Sequence, residues 1–128
     1  MILQVPVSAG ELIDKITILQ IKAERITVPE KLENVQRELG ELLAVVNDQV
    51  PGSAALEALK MELKRINEAL WVIEDDIRDC ERVGEFGEPF IKLARAVYTT
   101  NDRRAALKRE INELLGSTLV AEKSYQAY

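Results

Sequence analysis

One seam of apolar residues constrains this chain more than any other feature. Between residues 56 and 80, apolar side chains recur at alternating steps of three and four: Leu56, Leu59, Leu63, Ile66, Leu70, Ile73, Ile77 and Cys80. These steps follow one face of an α-helix, and the strict seven-residue repeat is typical of helices that pack knobs into holes. The pattern predicts a long helix with nearly parallel or antiparallel neighbours.

Three further segments have helical periodicity. Ser8 and Glu11 form the pattern of a capping box, which predicts a helix start near residue 9. In the last segment the seam carries Thr100 and Arg104, and the TTND stretch can cap a new helix, so a kink near Thr100 is one alternative. We expect helices over residues of about 9–26, 29–48, 53–83 and 88–115, with an extended arm at 1–7 and a tail at 116–128.

The order of these segments predicts an all-α chain. Because the intervening loops are short, we expect one domain over residues 1–128, a four-helix up-down bundle with a short extended N-terminal arm. A long coiled-coil dimer is the alternative architecture.

The composition excludes several kinds of site. With no histidine and one cysteine, the chain has no Cys/His zinc site and no Ser-His-Asp or Cys-His nucleophile pair. Any metal needs carboxylate ligands, which favours Mg, Mn or Ca. The net charge of −5 without a basic tail argues against nucleic acid and against an anionic membrane surface. No signal-peptide pattern or 18-residue apolar run occurs, so we expect a cytoplasmic protein.

The stretch DKITILQIK, residues 14–22, is apolar on more than one side of its predicted helix. A helix that is apolar all round is buried all round. Either the arm and tail cover the surplus apolar faces, or a second copy of the chain does. Because the arm and tail are short and partly polar, we expect a homo-oligomer, most simply a dimer. The predicted interface residues, which point away from the seams of the first and third helices, are Ile18, Ile21, Trp71 and Val72.

A polar stripe runs along the fourth helix within NDRRAALKREINEL. Arg104 and Lys108 stand four residues apart, where like charges repel, so both need anions nearby. One interpretation supplies acids of the same chain, because an unpaired buried arginine is very costly. The other supplies a phosphate or carboxylate ligand. Both interpretations stay open at this point.

Four stretches resemble one small family. SAGELIDKITILQIK, LWVIEDDIRDCE, ARAVYTTNDRRAALKREINELLGS and AEKSY occur in the order seen in a family of unknown function from bacteria and phages. The matching positions are rich in charge and include Lys123 and Tyr125, which implies one shared polar site but no particular activity. The candidate cluster for that site is Glu11, Asp14, Lys15, Glu74, Asp75, Arg78, Asn101, Arg104, Lys108 and Asn112.

Two acidic pairs provide an alternative function. Glu38–Glu41 and Asp76–Asp79 resemble the ExxE and ExxD pairs of MazG-type nucleoside triphosphate pyrophosphohydrolases, which are all-α and hold Mg between adjacent helices. That resemblance implies a Mg-dependent enzyme. In the heptad frame, however, Glu41 and Asp79 lie on outer faces, whereas a shared metal requires all four carboxylates to converge. Our main interpretation is therefore an oligomeric binding or accessory module without a cofactor, whose charged groove takes a small anionic ligand.

Overall fold

A computed structural model describes residues 1–128 as four α-helices without a strand. The helices are α1 (Ala9–Arg25), α2 (Pro29–Gln49), α3 (Ala54–Val83) and α4 (Glu88–Leu115). The predicted all-α class is confirmed, as is the four-helix bundle. Helix α4 is continuous through Thr100, so the TTND stretch does not start a new helix. No helix is long and apolar enough to cross a membrane.

Serine side chains start α1 and α3. The Ser8 hydroxyl accepts a hydrogen bond from the Glu11 backbone N–H at 3.2 Å, and Ser53 does the same for Leu56 at 3.0 Å. The first cap is half of the predicted capping box, because the Glu11 carboxylate turns away from Ser8 and binds Lys108 of α4. The start of α1 is thus tied to another helix.

Helix α1 is the centre of the bundle. It contacts α2, α3 and α4, whereas no Cα atom of α2 lies within 8 Å of one in α3 or α4. Side chains on most sides of α1 are therefore buried, while α2 contains no buried residue. Helices α3 and α4 pack against each other and form, with α1, the body of the fold.

This central position explains the apolar stretch at residues 14–22. Ile21 is 1% exposed within the single chain, so its side chain is already covered without a second copy. The helices of its own chain surround α1, which sequence periodicity does not reveal because it defines one seam without counting a helix's neighbours.

The other three predicted interface residues remain at least partly accessible. Ile18 and Trp71 are half-buried, and the guanidinium carbon of Arg25 lies 5.9 Å from the centroid of the Trp71 ring. Val72 is 46% exposed. The outer surface of α3 near Trp71 is therefore partly covered by the end of α1.

The hydrophobic core occupies one end of the α3–α4 pair. Its five buried members come from α1, α3 and α4: Ile13, Leu56, Leu63, Leu107 and Ile111. Helix α1 ends at Arg25, beside Trp71, while α3 continues to Val83, about 18 Å further at 1.5 Å per residue. We call the part of α3 and α4 beyond α1, residues 72–97, the projecting hairpin.

The two ends of the chain differ in their contacts. Residues 1–7 have no regular structure and are exposed, including their apolar side chains. The C-terminal tail, residues 116–128, returns along α4. There Glu122 lies 3.4 Å from Arg109, and the Tyr128 hydroxyl donates to Asp102 at 2.5 Å. The ring of Tyr128 also packs 5.2 Å from that of Tyr98.

Candidate functional site

Asp14 is a buried carboxylate between three helices. Its side chain is 2% exposed, and Arg104 of α4 binds both oxygens, with Nε 2.9 Å from Oδ1 and Nη2 2.5 Å from Oδ2. Asn67 of α3 donates from Nδ2 to Asp14 Oδ1 at 3.0 Å and to Thr17 Oγ1 at 2.9 Å. A bidentate contact between arginine and a carboxylate is the strong form of an ion pair. Asp14 thereby joins α1, α3 and α4 at one point.

Lys108 extends this pair into a four-charge network. Its Nζ lies 2.7 Å from Glu11 Oε2 and 3.8 Å from Asp14 Oδ2. Two cations on α4 thus face two acids on α1, and the network is formally neutral. The structure brings these four predicted residues together, and the acids that meet Arg104 and Lys108 are those of α1.

The electrostatics of Asp14 combine opposing effects. Burial by itself raises the pKa of this carboxyl, but hydrogen bonds from Arg104 and Asn67 and the charges of Arg104 and Lys108 outweigh it, so the pKa lies below 3.8. The hydrogen bond to Asp14 in turn raises the pKa of Arg104 above its ordinary value. Both groups are therefore charged at neutral pH.

Because its pKa is lowered on folding, Asp14 makes the free energy of unfolding depend on pH. The unfolded carboxyl titrates near 3.8, whereas the folded one keeps its charge to lower pH. The contribution of Asp14 is therefore fully present above 3.8 and is lost as the pH falls through the folded pKa. We expect the difference in free energy of unfolding between the wild type and Asp14→Asn to shrink below this pH, measured by urea unfolding from neutral pH down to about pH 2. A difference that stays constant over that range would contradict this assignment.

A glycine lets α1 approach α4 closely above this network. The N–H of Gly10 donates to Asn112 Oδ1 at 2.6 Å, a contact that is buried. A Cβ atom at Gly10 would lie 2.3 Å from the Lys108 carbonyl oxygen, which is too short for any side chain. This close approach places Glu11 and Asp14 within reach of the cations of α4.

A small polar cavity of about 130 Å³ lies between α4 and the tail, beside the network. Its lining comprises four cations, three uncharged polar residues and two alanines: Arg104, Lys108, Arg109, Lys123, Ser8, Asn101, Asn112, Ala105 and Ala121. No carboxylate lines it, because Glu11 and Asp14 stand behind Lys108 and Arg104. Three of the four cations are paired with acids that lie outside the lining, since Arg109 contacts Glu113 and Glu122, and Lys123 is the cation without a carboxylate partner.

The profile of a family of unknown function, DUF6165, matches residues 3–128. The chain belongs to DUF6165. The predicted resemblance to a family of unknown function is thus confirmed over nearly the whole length. No curated protein and no solved structure matches the chain.

The remaining predicted polar residues divide into two groups in this DUF6165 member. Asn101 and Asn112 line the cavity with Arg104 and Lys108. The others lie elsewhere and do not join the site. Lys15 pairs with Glu38 of α2 at 3.2 Å on the surface, Glu74 pairs with Arg78 within α3, and Asp75 is exposed.

The four carboxylates of the alternative metal site are not brought together. Glu38 and Glu41 lie on α2, and Asp76 and Asp79 lie on α3, which has no Cα atom within 8 Å of α2. Glu38 is engaged by Lys15, and Asp79 lies 3.5 Å from Arg82. No group of three or more potential metal-ligating side chains occurs in the structure.

The candidate cluster predicted from the sequence left out four residues of the site, although Lys123 was among the matching positions of the family. Asn67 donates to the Asp14 carboxylate and to the hydroxyl of Thr17, which in turn donates to the Asp14 backbone carbonyl. Arg109 and Lys123 supply two of the four cations of the cavity. Two signals could have found some of them. Asn67 follows Leu63 by four residues on the apolar face of α3, where a polar side chain needs a buried partner, and Lys123 lies in the AEKSY stretch.

Proposed function

We propose that this DUF6165 chain is an oligomeric binding module that holds a small anionic ligand in the basic cavity. The observation that carries this proposal is the cavity lining, which has four cations and no carboxylate. We assign the module no catalytic step.

Donors in this cavity remain available for a ligand. Arg104 donates from Nε and Nη2 to Asp14, whereas its Nη1 has no hydrogen-bond partner within the chain. Lys123 has no carboxylate within ion-pair distance, and its Nζ lies 5.5 Å from the ring centroid of Tyr125. The side chain of Asn101 is likewise free of hydrogen bonds within the chain. An oxyanion placed here would receive charge-assisted hydrogen bonds from two sides, α4 and the tail.

The size of the cavity favours a phosphate or carboxylate group. A volume of about 130 Å³ is well above the ~10–15 Å³ that a cavity needs to hold one water. A wider groove of about 910 Å³ adjoins it, sharing Asn101 and Lys123 and lined also by Tyr98, Tyr125 and Tyr128. We infer a small molecule with an anionic head in the cavity and a larger body along the tyrosines.

The total accessible surface supports the oligomeric part of the proposal. The chain exposes 8918 Å², whereas a compact monomer of 14.4 kDa exposes about 6,800 Å². The excess of about 2,000 Å² exceeds the ~800 Å² that each partner buries in a standard interface. A second copy of the chain could cover part of this excess.

Titration with inorganic phosphate, followed by calorimetry and by the melting temperature, tests the cavity. Because a ligand of the native state raises stability, phosphate should raise the Tm of the wild type. Lys123→Ala should weaken phosphate binding about tenfold, the loss of one charged hydrogen bond. Lys31→Ala removes the same charge from the exposed surface of α2 and should bind as the wild type does.

Two results would contradict the proposed cavity. One is the absence of any phosphate-dependent heat or Tm shift in the folded wild type. The other is equal weakening by Lys31→Ala and Lys123→Ala, which would show that phosphate responds only to overall charge.

A further inference from the structure

All three tyrosines of the chain line the wider groove that adjoins the basic cavity. Tyr98 comes from α4, whereas Tyr125 and Tyr128 come from the tail, and the three are 44%, 80% and 81% exposed, respectively. Aromatic rings carry a large apolar area, which folding normally removes from water. Exposed apolar groups that cluster in one groove therefore indicate a binding surface, and this cluster stands out in a chain that is 5% aromatic.

Lys123 connects this groove to the cavity, because its side chain lines both. It is the cation of the cavity without a carboxylate partner, and its Nζ lies 5.5 Å from the centroid of the Tyr125 ring. On α4, Tyr98 precedes Arg104 by six residues, which is about 9 Å along the helix axis at 1.5 Å per residue. An anion bound to Lys123 therefore has aromatic rings directly beside it.

Asp102 restricts the chemistry of whatever occupies the groove. It lines the groove, and its Oδ2 accepts a hydrogen bond from the Tyr128 hydroxyl, while its Oδ1 has no donor within the chain. A carboxylate repels a second anion and accepts hydrogen bonds from hydroxyl and amino groups. The body of the ligand is therefore uncharged and carries donors, whereas its anionic group lies towards Lys123.

We propose that the ligand is a nucleoside 5′-monophosphate, with its phosphate on Lys123 in the cavity and its base against the ring of Tyr125. This inference rests on the anion-binding part of the proposed function and names the class of ligand. A nucleotide meets each requirement, since its base stacks on aromatic side chains and its ribose hydroxyls can donate to Asp102. The groove of about 910 Å³ also lies within the ~300–1,000 Å³ of small-molecule pockets.

The first test compares three ligands by calorimetry on the full chain at one ionic strength: adenosine 5′-monophosphate (AMP), ribose 5-phosphate and adenosine. AMP should bind at least about fivefold more tightly than ribose 5-phosphate. This ratio corresponds to ~1 kcal/mol, the lower bound for one base stacked on an aromatic side chain. AMP should also bind at least about tenfold more tightly than adenosine, which lacks the phosphate that Lys123 binds.

A pair of variants tests the contribution of the ring. Tyr125→Leu retains an apolar side chain but removes the aromatic face, so it should weaken AMP binding at least about fivefold and leave the affinity for ribose 5-phosphate unchanged. Phe86→Leu removes an exposed ring at the tip of the projecting hairpin, far from the groove, and should leave both affinities unchanged. A general disturbance of the fold would weaken both ligands together.

Nuclear Overhauser effects supply a second readout on the unaltered wild type. Contacts between the base protons of AMP and tyrosine ring protons would locate the base in the groove, because the chain has no tyrosine elsewhere. We expect such contacts for AMP and none from ribose 5-phosphate to the ring of Phe86.

The outcomes separate this inference from the proposed function. Equal affinities for AMP and ribose 5-phosphate, or no contact between the base and a tyrosine, overturn the nucleotide and keep the anion-binding cavity. AMP binding that Lys123→Ala leaves unchanged overturns the placement of the phosphate and with it the inference. A short oligoadenylate that binds more tightly than AMP makes a nucleic acid the ligand and also overturns it. If neither AMP nor inorganic phosphate binds, the nucleotide and the proposed cavity both fail.

Discussion

Arg104→Met is expected to lower the free energy of unfolding by about 3–5 kcal/mol. Methionine retains much of the aliphatic packing of arginine but leaves the buried Asp14 carboxylate with Asn67 and the more distant Lys108 as its polar contacts. An uncompensated buried charge costs far more than a lost surface pair. Urea unfolding at neutral pH measures the change, with the m-value as a check that the unfolded state is unaltered.

Two companion variants make this expectation specific. Arg103→Met removes the neighbouring arginine, whose pair with Glu62 lies on the surface, and should cost less than about 1 kcal/mol. The double variant Asp14→Leu/Arg104→Met replaces both charges by apolar groups and should be more stable than Arg104→Met alone. If Arg104→Met and Arg103→Met cost the same, Asp14 does not depend on its arginine.

Gly10→Ala is expected to lower the free energy of unfolding by about 3 kcal/mol, through overpacking and a lost buried hydrogen bond. The new methyl group would lie 2.3 Å from the Lys108 carbonyl oxygen, which belongs to the backbone of α4 and cannot rotate away. The two helices must separate, and the 2.6 Å hydrogen bond from Gly10 to Asn112 is then lost. Thermal and urea unfolding both measure this effect.

Gly40→Ala is the matched control and should have the opposite sign. Gly40 lies inside α2, and a Cβ atom there meets nothing within 4 Å. Alanine in an exposed helix interior is more favourable than glycine, so we expect a gain of about 0.5–1 kcal/mol. If Gly10→Ala lowers the free energy of unfolding by no more than about 0.5 kcal/mol, the scale of ordinary surface substitutions, then α1 and α4 can separate without a loss of stability.

The helices could be predicted from the sequence because their signals are local. Apolar steps of three and four and the caps at Ser8 and Ser53 act within a few residues, and the structure uses both caps. How many neighbours a helix has is not a local property. The apolar surplus around Ile21 was therefore recognised but assigned to a second copy, although Ile21 is 1% exposed within the single chain and α1 has three neighbouring helices.

The candidate site was predictable only in part, for the same reason. Two cations one turn apart on α4 require anions, and this much follows from Arg104 and Lys108 alone. Which acids pair with these two cations depends on where α1 packs along α4, and that position is set by the close approach of the helices at Gly10. Lys123 reaches the cavity because the tail folds back along α4 through Tyr128 and Glu122, contacts that no periodicity encodes.

The bond between Asp14 and Arg104 also bears on how the chain is made. The two partners are 90 residues apart, so a ribosome translating at about 5–20 residues per second releases the acid several seconds before its base. Until then, an ionised Asp14 has no arginine with which to enter a core. During synthesis the first helix can therefore pack on α2 long before its contacts with α4 can form, which leaves the Asp14 side of α1 open to solvent until the fourth helix has emerged.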